Sequence, residues 1–247
     1  MVEHEERETK APWALPEGWA WTRLGSLGTW TGGGTPSKAN NAFWMAGTVP
    51  WVSPKDMKVN IIGETEDRIT EAAIASSSTK LVAAGSVLMV MRSGILRHSF
   101  PVAISDRVVT LNQDLRALTP HQDIEAAFLA RYLGCAAQTI LHECSKDGTT
   151  VNSVDTDALT QFPVPLAPLA EQRRIVARID ALFEEIAAGE AALEAARRGL
   201  ETFRRALLKA AVTGVLTKDW RARNPVTETG HTLLARLRAD RAAKGPA

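Results

Sequence analysis

Two patterns of apolar and polar positions divide the chain. From residue 19 to about 120, short apolar runs are broken by Gly, Pro, Asn and Ser, as in 28–37, 49–57 and 83–91. Such text predicts strands separated by turns. Residues 86–91 read as a buried strand entered through a turn at Ala84-Gly85. Further strands are expected at 101–105 and at 114–118, where Leu115 and Ala117 alternate. Residues 123–140 have helical spacing, with Ile124, Phe128, Leu129 and Leu133 on one side. Asp147-Gly148-Thr149-Thr150 predicts a loop, and 162–166 a short strand closed by Pro163, Pro165 and Pro168. The pattern describes a mixed α/β (α+β) body with many loops and leaves its topology open.

After Pro168 the period changes. Apolar residues fall at Ile175, Ile179, Leu182, Ile186, Leu193, Ala196, Leu200, Phe203, Leu207 and Ala210, a heptad seam interrupted where Gly189 takes the expected position. Pro168 suits a first helical turn, Glu171 complements the helix dipole, and Gly214 suits a C-terminal stop. A helix over 168–212 would be a rod of about 65 Å at 1.5 Å per residue. Its narrow stripe needs a partner helix, so Ile179, Leu182, Leu200 and Phe203 are expected to be buried only in a dimer or partner complex. Residues 214–230 read as a linker, and 232–244 as a shorter amphipathic helix carrying Leu233, Leu234 and Leu237.

Charge sharpens the division. The chain of 247 residues has a net charge of +1, but 166–247 holds 15 basic and 10 acidic residues, against 12 and 14 in 12–165. A body held to nucleic acid by charge alone would be more basic. No apolar run approaches the roughly 20 residues needed to cross a bilayer. The charged N-terminus lacks the apolar segment of a secretion signal, which points to a cytoplasmic protein without membrane association. Cys135 and Cys144 are too few for a disulfide framework and read as buried, reduced thiols.

The sequence argues against an enzyme. Its single Asn-Pro, Asn224-Pro225, is followed by Val226, so the D/N-P-P-Y/F signature of an adenine methyltransferase is missing. Gly32-Gly33-Gly34 lacks the Lys-Ser/Thr of a phosphate-binding loop. The five His residues make no metal-ligand spacing with either Cys, and no Ser-His-Asp set or carboxylate pair suggests catalysis.

A run of short motifs carries a resemblance. Leu15-Pro16-Glu17-Gly18-Trp19 with Leu24-Gly25 resembles the entry to a target-recognition domain of type I restriction–modification specificity subunits. Gly34-Thr35-Pro36-Ser37, Phe43-Trp44, Val49-Pro50-Trp51-Val52 with Asp56-Met57, Ile69-Thr70, and Gly85-Ser86-Val87-Leu88 with Arg92 continue it in order. Asn112-Gln113 and Gly148-Thr149-Thr150 follow. Pro163-Val164-Pro165-Leu166 runs into Leu169-Ala170-Glu171-Gln172 and Ile175-Val176, which resembles the family's entry into its spacer helix. Leu207-Leu208-Lys209-Ala210-Ala211 with Gly214 and Leu216 resembles the exit. Arg92-Ser93-Gly94-Ile95-Leu96-Arg97-His98 departs from the family, which often has a small residue after an Arg-x-Gly turn.

The resemblance implies a charged tail (1–14), a DNA target-recognition domain (15–166), a coiled-coil spacer helix (167–215), and a linker with a short amphipathic helix (216–247). It implies a non-catalytic, sequence-specific DNA-binding subunit that directs partners to double-stranded DNA. Those partners would be methyltransferase subunits that modify adenine N6 and a translocating endonuclease subunit. S-adenosylmethionine, ATP and Mg would bind the partners, leaving this chain without a cofactor of its own. Full subunits carry two recognition domains, so this chain is either a half-subunit that pairs with itself or the first half of a longer one. The ending, Arg241-Ala242-Ala243-Lys244-Gly245-Pro246-Ala247, resembles the run-up to a second recognition domain.

Trp19, Trp44 and Trp51 read as packing aromatics rather than base-stacking ones, and Asn112 and Gln113 as groups that satisfy loop backbone. The DNA-binding candidates are Ser37, Lys38, Lys55, Lys58, Arg92, Arg97, His98, Lys146, Thr149 and Thr150, all in loops. Arg can fork onto guanine, while Lys and Thr mostly meet phosphate. The interface candidates are Ile175, Ile179, Leu182, Ile186, Leu193, Leu200, Phe203 and Leu207. The rival reading is a coiled-coil adaptor that binds protein and lacks DNA specificity, favoured by the slight acidity of the body.

Overall fold

Four consecutive apolar residues, Val87 to Val90, lie fully buried at the centre of the body. The protein was described by a computed structural model covering residues 12–146, 152–225 and 227–243. In chain order the body begins with β1 (Ala20–Arg23), β2 (Gly28–Gly32), β3 (Val49–Val52), β4 (Ile61–Ile62) and β5 (Asp67–Ile69). Next come α1 (Glu71–Ala75), β6 (Leu81–Val82), β7 (Val87–Val90), β8 (Val102–Ser105), β9 (Val109–Leu111) and β10 (Leu115–Pro120). Then follow α2 (Ala126–Cys135), α3 (Ala137–Glu143), β11 (Ser145–Lys146), β12 (Ser153–Val154), α4 (Thr156–Thr160) and β13 (Pro163–Leu166).

Two sheets form the frame. One has the order β2-β10-β7-β8-β4 and the other β5-β3-β9-β6. β7 is antiparallel to both its neighbours, and α2 lies against β7 and β8. All four β7 residues are fully buried, so both faces are covered, which is why its sequence is a continuous apolar run and not an alternation. Leu88, Met89, Leu115, Leu118, Leu129, Leu133 and Ile140 belong to the main core. A separate two-stranded sheet pairs β1 with β13, Ala20 opposite Leu166 and Arg23 opposite Pro163. Each strand of such a pair has an open outer edge, where a proline leaves no ladder bond unmade. Tyr132 on α2 donates its hydroxyl to Pro163 O at 2.7 Å, and burial pushes the phenol pKa up to about 12.

After the body, α5 (Leu169–Val212) is a single helix of 44 residues. Gly214, at φ +74°, ends it, with Gly214 N donating to Ala211 O and Leu216 N to Ala210 O. α6 (Lys218–Arg223) and α7 (Gly230–Ala243) follow. The chain divides into two compact units, 1–181 and 182–247, so residues 169–181 of α5 belong with the body. None of the described helices is long and apolar enough to cross a membrane.

Four expectations are corrected. The single helix expected over 123–140 is two helices, because Ala136 leaves the helical region at ψ 4°. Gly134, a poor helix former, lies just before that break. The stretch expected to be a linker contains α6. Cys144 is buried, and burial raises its thiol pKa to about 11, but Cys135 is exposed. Ile175 and Ile179 are half-buried within the single chain, so the head of the seam is already partly covered before any partner binds.

Candidate nucleic-acid interface

Strand direction gathers the candidate loops. β2 and β7 both run antiparallel to β10, so Gly32 and Val90 end their strands opposite Arg116 and Leu115, at the start of β10. β3 runs parallel to β9, with Val52 opposite Leu111, and β9 exits directly into the 112–114 turn before β10. The segments 33–38, 53–58, 91–98 and 112–114 therefore leave the sheets at the same end.

Hydrogen bonds bind these loops into one frame. Gly34 N donates to Leu111 O at 2.8 Å, and Asn112 N to Val52 O at 2.9 Å. The Asn112 side chain, 6% exposed, accepts from Asp114 N at 2.9 Å. Met91 N and Arg92 N both donate to Asp114 O, at 2.8 and 3.2 Å. The β11–β12 pair joins through Val154 N to Met91 O at 2.8 Å and Ser93 N to Asn152 O at 3.2 Å. Asn112 thus satisfies loop backbone, as expected, whereas the Gln113 side chain instead accepts from the Thr35 hydroxyl.

Two tryptophans clamp the loop that carries Ser37 and Lys38. Trp51 donates its indole N–H to Gly34 O at 3.0 Å, and Trp44 donates to Ser37 O at 3.1 Å. Their rings meet edge to face at 5.2 Å. The loop also needs Gly33: a Cβ there would lie 1.7 Å from Asn112 O, a backbone atom.

The candidate side chains fall into two groups. Lys38, Lys58, Arg97 and His98 are exposed, and no ion pair is recorded for them among the described residues. Ser37 is exposed as well. Lys55, Arg92 and Lys146 are instead held by carboxylates. Lys55 meets Glu66 at 3.4 Å, and Arg92 places Nε and Nη2 both 2.7 Å from Asp114 Oδ1. That contact uses one side of the Arg92 fork, and the side chain stays more than half exposed. Lys146 pairs with Asp155; the hydrogen bond raises the lysine's pKa and holds the carboxyl below the usual range. Both groups therefore stay charged across the neutral range. Thr149 and Thr150 lie outside the described residues. Asp114 was missed in the sequence; its signal was an acid in a turn, one residue before a strand.

Beyond Ala181 the seam is open. Ile186, Leu193, Leu200, Phe203 and Leu207 are all exposed, Leu193 at 74% and Leu200 at 69%. Leu182 is exposed too, though least of the set.

The structure thus defines a loop-rich α/β body with polar and cationic side chains gathered at one sheet end, followed by a long helix with an open heptad stripe. Residues 16–195 match the type I restriction modification DNA specificity domain, and the chain belongs to that family. It is 42% identical over 160 residues to the EcoR124I/EcoR124II specificity subunit of Escherichia coli, covering 65% of this chain and 40% of that protein. It is 25% identical over 175 residues to the MjaIX specificity subunit of Methanocaldococcus jannaschii, covering 70% and 39%. The chain thus spans about two fifths of the length of these relatives. Its fold resembles that of the HsdS subunit from Thermoanaerobacter tengcongensis, at a TM-score of 0.55 and 24% identity over 72% of this chain and 40% of that one. A chain from a type I R-M system assembly matches at a TM-score of 0.60 and 24% identity, covering 81% and 47%.

Proposed function

We propose that the body reads one half of a bipartite double-stranded DNA target through its gathered loop end, and that α5 joins it to a second recognition unit. The observation that carries this reading is the convergence of 33–38, 53–58, 91–98 and 112–114 on one hydrogen-bonded frame. Exposed Lys38, Lys58 and Arg97 supply phosphate affinity, while Arg92, His98 and Ser37 in the same loops reach base edges. Half-site spacing then follows the geometry of the joined units. Methyltransferase subunits that modify adenine N6 with S-adenosylmethionine, and an endonuclease subunit that uses ATP and Mg, are the partners this reading calls for. The chain itself would perform no catalysis, and the complex would act in the cytoplasm.

The test is DNA binding by the chain with its methyltransferase subunit, measured as a function of salt. Arg92→Ala is expected to weaken the cognate site by about 1–3 kcal/mol and blur preference at one base pair. Neutralising Arg197 and Arg198, exposed on α5, is expected to weaken all sequences alike or to have no effect. Absence of any sequence preference in the unmodified complex would return the chain to the adaptor reading.

A further inference from the structure

The 44 residues of α5 include one fully buried side chain, and it is polar: Gln172, 1% exposed. Helix residues chosen for packing alone would place an apolar group there, because a buried amide is costly unless its bonds are made. Here they are made, and all go to backbone outside the helix. Gln172 Oε1 accepts from Glu125 N at 2.8 Å. Nε2 donates to Ala167 O at 2.8 Å and to Asp123 O at 3.4 Å. One amide therefore joins the first turn of α5 to the segment entering it and to the start of α2. Glu125 occupies the position before α2, and its carboxylate meets Arg173 at 3.4 Å.

A second attachment lies further along both helices. Arg131 on α2 reaches Asp180 on α5 at 2.6 Å. From 172 to 180 the helix rises about 12 Å, and from 125 to 131 about 9 Å. The pairs Glu125/Gln172 and Arg131/Asp180 thus join α5 to α2 and its entry at two levels along the axis. One attachment would leave residues 169–181 free to swivel, whereas two separated along the axis hold them in place.

We propose that Gln172 is the positioning residue that holds the first turns of α5, residues 169–181, against the recognition body, with the Arg131–Asp180 pair as its second point. Resting on the DNA-recognition reading above, this makes Gln172 a determinant of the half-site spacing the complex accepts. It touches no base in this account; it acts through the helix.

The test measures the attachment without DNA. In the full chain, Cys135 is exposed, whereas Cys144 is buried with a thiol pKa raised to about 11, so a spin label is directed to Cys135. A second label is placed through Glu190→Cys, and labelled chain is diluted with unlabelled chain to suppress signals between copies. Pulsed dipolar spectroscopy is expected to give a narrow distance distribution for the unmodified sequence at 172. Gln172→Leu and Gln172→Glu should each broaden it at least twofold, the second because a carboxylate cannot donate to the two carbonyls. Should Gln172→Leu fail to fold, Asp180→Asn removes only the half-buried second point and should broaden the distribution alone. Unchanged widths in the variants that fold overturn the proposal, as does a distribution already broad in the unmodified chain. With the methyltransferase subunit, Gln172→Leu should also methylate targets whose spacer is one base pair longer or shorter. Broadening together with unchanged spacing preference refutes the role in spacing. Broadening with no DNA recognition by the unmodified complex supports the anchor while refuting the recognition reading.

Discussion

Leu193→Asp and Leu200→Asp, introduced together, are expected to leave a monomer whose body is intact. Both side chains are more than two thirds exposed in the single chain, so the body has nothing to lose by their replacement. The assembly loses far more. Burying a Leu contributes about 1.5–3 kcal/mol, so two on each of two paired helices amount to roughly 6–12 kcal/mol before charge repulsion is counted. Association should weaken by at least about a thousandfold, which sedimentation or light scattering would read directly. An unmodified chain that is monomeric alone would rule out self-pairing and assign the stripe to a different helix. Leu182 is a poorer place for this test, because it is less exposed and adjoins the part of α5 that belongs with the body.

The second large effect is expected at Gly33. A Cβ there would sit 1.7 Å from Asn112 O and 2.7 Å from Leu111 O, so the β2 exit must separate from the 112–114 turn. That separation breaks the frame on which the loops converge. Gly33→Val is expected to reduce preference for the cognate site by about a hundredfold or more and to lower stability by about 1–3 kcal/mol, the usual cost of overpacking. Gly94→Ala is the control. Nothing lies within 4 Å of the position a Cβ would take there, so binding and melting temperature should be unchanged. Equal effects from the two substitutions would mean that general loop perturbation, and not the shared frame, governs recognition.

What the sequence revealed depended on whether a feature is local. The heptad stripe runs through a 44-residue helix, and Gly214 ends it at positive φ, because both signals act within a few turns of chain. The central strand was legible in Val87–Val90 for the same reason. β4 and β6 were not, since Ile61–Ile62 and Leu81–Val82 are too short to show a period. The break at Ala136 was hidden because Phe128, Leu129, Leu133 and Ile140 all face the core despite it. For the candidate site, 33–38 was visible as a loop and Trp44 and Trp51 as packing residues, but Arg97 lies in a short 3-10 helix and Lys146 in β11. The meeting of the loops at one end was not visible, because it depends on β10 pairing with β2 and β7 and on the parallel β3–β9 pair. Nor was the holding of Arg92 by Asp114, 22 residues away in sequence.

Basic charge favours the segment 166–247 as the DNA contact, whereas the loop frame favours the body. An exchange of residues 15–165 for the equivalent part of another member of the family separates these directly. The hybrid, expressed with its methyltransferase subunit, would be assayed by methylome sequencing of the host. The account predicts that the methylated half-site changes to that of the donor body while the segment 168–247 stays the same. A half-site that follows 168–247 instead would contradict it.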